Sequence, residues 1–473
     1  PMILSAMLNR ILTAALASIL FCLTMAPGPA VAEDWPQFLG PRRDGTSLET
    51  GLLDKFPEGG PKILWQKDVG TGYSAPSIRE GQLVYHHRLG FEEIVECVDA
   101  ATGKEIWRYG YGSRYRDPFG YNNGPRCTPL VTDKYVYVYG AEGMLYCLDF
   151  KTGRKVWSRN TATDWNVPQP FFGIGSTPIL EGDLLIVMVG GQPNSAMVAF
   201  NAKTGETVWG NIGKDTWNGS YKLGWPGTPP VRWTGTERLS SYATPVAATI
   251  HGKRHILCML RQGLVSIDPK DGSFNFKRWF RAQVNDSVNA MNPVVVDDMI
   301  LISAAYYSVG SVLLKVNEDG KGFEEVWSTA ARRKQDRSRD PALEIHWTTP
   351  IVHDGFVYAF SGRNEPDARF RCVDVKAGTV KWDRDESWQK GRSKTPDVYG
   401  RGSAIMAEGK LIILGEGGLL GLVKVNSEKL EEISRWQVPK FHHPCWAAPV
   451  LSQKKVYLRS EDQLLCLDFA KQE

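Results

Sequence analysis

Apolar positions along most of this chain fall in short runs that alternate with polar residues and break at Gly, Asp, Asn or Lys. Residues 128–140, TPLVTDKYVYVYG, show the pattern: an apolar run, a Thr-Asp-Lys turn, and a second run with alternating Val and Tyr. No helical period intervenes, so the pattern predicts antiparallel β-structure. One phrase then recurs, an apolar strand ending in Asp or Asn, a turn with Gly, and a strand carrying Trp. It reads CVDAATGKEIW at 97–107, CLDFKTGRKVW at 147–157, AFNAKTGETVW at 199–209 and CVDVKAGTVKW at 372–382. Looser copies lie at 266–279, 315–327 and 424–436. A unit repeated at this spacing cannot bury both its faces alone and must stack on its own copies.

Upstream of each phrase stands a pair of mostly small or polar residues followed by Pro. The sites end at Pro76, Pro129, Pro178, Pro245, Pro293, Pro350 and Pro449, and Gly402-Ser403-Ala404 holds the remaining place. Proline is tolerated where it opens a strand, because its missing N–H is not needed there. Each unit therefore supplies four strands, and four-stranded sheets repeated radially are β-propeller blades. Eight such sites predict an all-β, eight-bladed propeller over residues 63–473. The last unit ends at CLDFAKQE with no Trp strand, and the missing strand is predicted at Ile63-Leu64-Trp65-Gln66, closing the ring without an open edge.

Before the repeats, Arg10 precedes an apolar run from 11 to 26, and Ala30-Val31-Ala32 follows. That order predicts a secretory signal over 1–32, cleaved before Glu33, and hence a periplasmic or secreted protein without a transmembrane anchor. The run is short for a membrane span. Residues 33–62 are irregular and rich in Pro and Gly, and are expected to pack across one face of the ring. Longer insertions at 211–239 and 330–344 interrupt the repeats.

The chain of 473 residues has a net charge of only +4, which argues against nucleic acid or anionic membrane as a partner. The densest basic stretch, 332–339, includes Asp336 and reads as a solvated loop. Cys97, Cys147, Cys372 and Cys466 hold one repeat position, two residues before the turn Asp, which marks a slot for a small buried side chain. No C-x-x-C or C-x-x-C-H occurs, so metal and haem readings through cysteine lack support. Among other glycine-rich pieces, GEGGLLG at 415–421 reads as a blade hairpin and not as a dinucleotide loop.

The Asp/Asn-x-x-T-G-x-x-x-W phrases with upstream small-x-Pro resemble the pyrroloquinoline-quinone-type propeller repeat over about residues 63–473. The resemblance implies one of two branches. Quinoprotein alcohol dehydrogenases hold pyrroloquinoline quinone and calcium on the propeller axis, and proteins similar to the outer-membrane assembly factor BamB are non-catalytic scaffolds. The dehydrogenase branch implies a carboxylate-rich calcium site and, in many members, an adjacent-cysteine disulfide ring. This chain has no adjacent cysteines, and the acids near the strand entries are Asp286, Glu344 and Asp397, on three different blades. The scaffold branch is therefore preferred, with a quinone-dependent alcohol dehydrogenase as the alternative.

Loops leading into the first strand of each blade converge on one mouth of the axial channel. The candidate ligand-binding residues are Arg126, Phe172, Asn289, His346, Trp347, Arg401 and Trp446, with Asn122, Tyr242 and Tyr399 nearby. Cations, amides and aromatics together could grip a small anionic, planar ligand, and two arginines among few acids predict a positive mouth. A protein partner is the other expectation. His442-His443 reads as a paired surface histidine, since neighbours on a strand face opposite ways.

Overall fold

Every blade starts where the proline signature places it. The structure is a computed structural model that describes residues 32–190, 195–210, 240–282, 287–329 and 342–471. Among these residues are eight sheets, seven of four strands and one of five. Blade one is Ser77–Arg79, Gln82–Leu89, Glu92–Asp99 and Glu105–Gly112, each strand antiparallel to the next. The innermost strands of blades two to six are Leu130–Val131, Ile179–Glu181, Val246–Ile250, Val294–Val296 and Ile351–His353. Blade seven begins at Ser403–Ala407, where Ala404 replaces the usual proline. The protein is an eight-bladed β-propeller with almost no helix.

Closure occurs as the strand count requires. Ile63–Asp68 pairs antiparallel with Gln463–Asp468 and completes blade eight, so the first and last segments of the ring share one sheet.

The Trp and Gly of the repeat phrase have one shared explanation. The indoles of six outer strands reach the next blade and donate to a turn carbonyl there, among them Trp65 to Ala100, Trp107 to Phe150, Trp157 to Ala202 and Trp209 to Pro269, at 2.9–3.0 Å. In Trp65, Trp107 and Trp157 the same ring lies on the turn glycine of that neighbour, Gly103, Gly153 and Gly205. A Cβ on Gly205 would stand 2.7 Å from the Trp157 ring, and Gly205 has φ +74, so both space and backbone require glycine. The turn itself is held by Asp149 accepting from the Thr152 backbone and hydroxyl at 2.8 and 2.6 Å.

A polar arc runs along the channel at the residue before the proline in blades two to six. Thr128 N–H donates to Thr177 Oγ1, Thr177 N–H to Thr244 Oγ1, Thr244 N–H to Asn292 Oδ1, and Asn292 Nδ2 to Thr349 Oγ1, at 2.6–3.2 Å. Five consecutive blades are thus tied together at the axis. Apolar cores fill the wedges between blades; one joins Tyr137, Leu145 and Trp157 of blade two to Leu185, Val187 and Phe200 of blade three.

The segment from 33 to 62 is more ordered than its composition suggests. It runs under the ring and plugs the channel. Trp35, 2% exposed, exchanges backbone hydrogen bonds with Ile78, and Thr46–Ser47 pairs parallel with Met406–Ala407 as a fifth strand of blade seven. Residues 1–31, 211–239 and 330–341, which include the expected signal, most of the two insertions and the basic stretch, lie outside the described residues.

Candidate functional site

Alternation of strand direction brings two sets of connections to the upper mouth: those entering each inner strand, and the turns between the second and third strands. Both sets line a cavity of about 230 Å³. Its floor carries Phe38, delivered from below by the N-terminal plug.

Of the residues expected from sequence, Arg126, Phe172, His346, Trp347, Arg401 and Trp446 are brought together around this cavity. Asn289 is not among its lining. It is buried, and its amide donates to the carbonyls of Leu260 and Phe280 at 2.9 and 2.8 Å, so it braces blade four. Tyr399 is likewise buried and donates to Glu432 at 3.0 Å, while Tyr242 and Tyr73 do reach the cavity.

Aromatic rings form a belt around the opening. Phe172 lies 5.6 Å from Tyr242 and 5.8 Å from Tyr121, and Tyr121 lies 5.3 Å from Trp446. Trp446 lies 5.3 Å from Trp347, and His346 bridges Trp347 to Tyr306 at 4.6 and 4.9 Å. Tilted and edge-on geometries at these distances are the favourable ones for aromatic pairs.

The charges correct the expectation of a positive mouth. The Arg401 guanidinium donates to Glu416 through Nε and Nη2 at 2.9 and 2.8 Å, and Nη2 also reaches Glu365 at 2.9 Å. The remaining nitrogen bonds the Arg363 carbonyl and lies 3.3 Å from His346 Nδ1, while the plane stacks 4.4 Å over Trp347. Trp446 Nε1 donates to Glu416 at 2.9 Å. Burial opposes ionisation of Glu416, yet Arg401, His443 and Trp446 outweigh it and hold the carboxyl well below the usual range. Arg126 donates to Asp117 at 2.9 Å and to the Asn122 carbonyl at 2.8 Å, and stacks 4.9 Å over Tyr115. Each arginine is neutralised by its own acid. Burial, aided by Arg401, lowers His346 to about 3, so its ring is neutral and accepts from the guanidinium.

Glu416, Glu365, Asp117 and Tyr306 were not among the sequence candidates, because only the residues just before each inner strand were considered; Asp117 lies earlier on such a connection, and the other three lie on turns between second and third strands. Glu416 stands in the GEGG turn between the second and third strands of blade seven, and Glu365 in the equivalent turn of blade six. That the two turns meet follows from counting strand directions. His443 is a further correction: it is 8% exposed, and its Nε2 faces Glu416 and Glu365 at 3.7 and 3.8 Å.

Glu365, Glu416 and His443 could each offer one ligand atom to a cation. Calcium requires six to eight oxygens, and here the facing carboxylate oxygens already hold Arg401 Nη2. The aromatic belt suits a planar group, but a quinone with several carboxylates would meet Asp117 and Glu416, and both arginines that line the cavity, Arg126 and Arg401, are already paired with acids. The donor set therefore does not fit quinone and calcium as it stands.

Fold and site together define a closed propeller whose axis is plugged below and opens above into an aromatic, charge-balanced cavity. The family profile described as outer membrane protein assembly factor BamB matches residues 56–224 and 91–383, and the chain belongs to that family. It is 33% identical over 156 residues to a quinohemoprotein alcohol dehydrogenase of Pseudomonas putida, covering 31% of this chain and 21% of the relative. It is 26% identical over 199 residues to outer membrane protein assembly factor BamB of Burkholderia pseudomallei, covering 35% and 50%. The chain thus spans about a fifth and half of the lengths of these two relatives. Among solved structures, BamB from Moraxella catarrhalis superposes with a TM-score of 0.56 at 13% identity, covering 87% of this chain and 98% of the other. Quinohemoprotein alcohol dehydrogenase from Comamonas testosteroni gives 0.62 at 14% identity, covering 94% and 82%. At such identities these two structures share the fold.

Proposed function

We propose that this chain is an exported, non-catalytic propeller that serves as a binding or assembly scaffold for a protein partner. Its axial mouth accepts a planar, uncharged group and not the anionic ligand expected from the bare arginines. One observation carries this reading: the two arginines that line the mouth are spent on acids, Arg401 on Glu416 and Glu365, and Arg126 on Asp117. A general base or an electrophilic cation must be free to face a substrate. Family membership supports a role in assembly, and residues 1–32 supply the export signal.

The second reading, a quinone-dependent alcohol dehydrogenase, is favoured by the match to the Pseudomonas putida enzyme. Reconstitution with pyrroloquinoline quinone and calcium separates the two. The scaffold reading expects no stoichiometric quinone absorbance after desalting and no dye-linked oxidation of short alcohols. Calcium-dependent turnover would overturn it.

A further inference from the structure

The lower face of the ring repeats one backbone arrangement eight times but covers only part of it. In each inner strand, the residue two after the proline position pairs with the second strand so that its own N–H and C=O face the channel. Ile78, Val131, Leu180 and Met406 hold this place in blades one, two, three and seven, opposite Leu83, Val136, Leu185 and Leu411. The N-terminal plug engages all four. Ile78 exchanges hydrogen bonds with Trp35 at 2.8 and 3.0 Å, and Val131 and Met406 donate to the Pro36 and Gly45 carbonyls at 2.8 Å. The Leu180 carbonyl accepts from Arg43 at 2.8 Å. In blade eight, Ser452, Gln453 and Lys454 are held by Glu33 and Glu49.

Ala247, Val295 and Val352 hold the same place in blades four, five and six, opposite Ile256, Ile300 and Val357. They are part-exposed, and among the described residues their channel-side groups have no protein partner. All three line a groove of about 860 Å³ whose near wall is Arg42, Arg43 and Asp44 of the plug. The groove thus begins where the plug's own seat ends.

We propose that this groove binds an extended, uncharged peptide of a partner protein, which continues the plug around the ring and hydrogen-bonds Ala247, Val295 and Val352. Unpaired strand edges are templates for added backbone, and peptide recognition by edge pairing is a general mode. Several features specify the occupant. The unmet groups are backbone donors and acceptors, one set per blade, which in blades one, two and seven the chain meets with its own plug backbone. The walls are small and apolar, with Ala248, Val294 and Val296 beside the three, so side chains of Val, Ala or Thr size fit. Cations Arg42, Arg43 and Lys376 oppose Asp44, Asp297, Asp354 and Asp374, which leaves little net field to select a charged peptide. The site lies on the face opposite the aromatic mouth and stands or falls separately from the function proposed for it.

The test uses the whole protein and a labelled probe, acetyl-Ser-Val-Thr-Val-Ala-Val-Thr-Val-Ser-amide, read by anisotropy. Saturable binding is expected, with slowed amide exchange at Ala247, Val295 and Val352. N-methylation of alternate probe amides removes backbone donors and should weaken binding about fivefold or more in one register and little in the other. Val295→Pro deletes a donor that the blade's own ladder does not use, and should weaken binding by a similar factor. Should that variant fold poorly, the exchange pattern of the unmodified protein decides. Absence of binding, equal binding by both methylated probes, or protection confined to the upper mouth would overturn the proposal. Concentration-dependent self-association that protects the same three amides would also overturn it, in favour of a second copy as occupant.

Discussion

Arg401 and Glu416 form a two-point ion pair in which neither side chain has more than marginal contact with water, at 6% and 0% exposure. The Glu416 carboxylate also accepts the Arg401 backbone N–H at 2.7 Å, so one side chain fixes both ends of the arginine. The pair joins the entrance of blade seven to its own second turn, and through Glu365 to blade six. It holds the mouth in shape and cancels the charge that the arginine alone would bring.

Removing one partner should cost far more than removing both. Arg401→Ala leaves Glu416 buried and unpaired, and is expected to destabilise by about 3–5 kcal/mol. The double substitution Arg401→Met/Glu416→Leu should recover much of that loss, as buried pairs often exchange for apolar residues at small cost. Urea melts of the single and double variants provide the measurement.

Acid should weaken the fold in two stages. Burial lowers His255 from 6.5 to about 4, and burial with Arg401 lowers His346 to about 3. The unfolded chain takes up these protons below about pH 6.5 while the folded one refuses them, so stability falls as pH drops from there. Burial of Glu96 is outweighed by His87 and Lys67, which hold it at about 2, and Arg42 holds Glu33 at about 2. Those carboxylates contribute stability above pH 4.5 that is lost as pH falls towards 2. Melting temperature should therefore be level above about pH 7 and decline below about 6.5, with a steeper fall under 4.5. His255→Gln should make the upper stage shallower, with His346 still contributing, and leave the lower stage unchanged.

Deleting Ile63–Asp68 removes the strand that pairs with Gln463–Asp468. The last blade then exposes an unpaired edge and the ring loses its closure. Aggregation on size exclusion, or loss of a single cooperative melt, is expected; a parent-like melt would contradict the closure role.

Gly205→Ala and Gly182→Ala form a matched pair. Both positions have positive φ, at +74 and +59, but a Cβ on Gly182 meets open space and one on Gly205 meets the Trp157 ring. Alanine at 205 should cost about 1–3 kcal/mol more than at 182, the usual cost of overpacking. Trp107→Ala, which empties a wedge between blades one and two, should cost about 3–5 kcal/mol. Chemical denaturation measures all three.

The sequence by itself determined the ring. Period-two alternation, the proline that opens each inner strand, and the shared Trp and Gly of the turn are local rules, and each is readable without knowing its neighbours. The surplus strand at Ile63 and the missing strand after Cys466 could be matched by counting alone. Six of the seven expected mouth residues also reach one cavity, because their place before an inner strand fixes which end of the channel they face. What only the tertiary structure decided was which groups face one another across it. Asn289 stands at an entrance like the others, yet its amide finds two carbonyls of its own blade and turns away from the opening. Glu416 meets Arg401 from fifteen residues along the chain, on a different connection. The plug crosses from Glu33 beside Ser452 to Gly45 beside Met406, contacts far apart in sequence. Repetition specifies strands because it acts within a unit. Charge pairing and channel plugging arise between separate connections and segments, which the repeat pattern does not relate to one another.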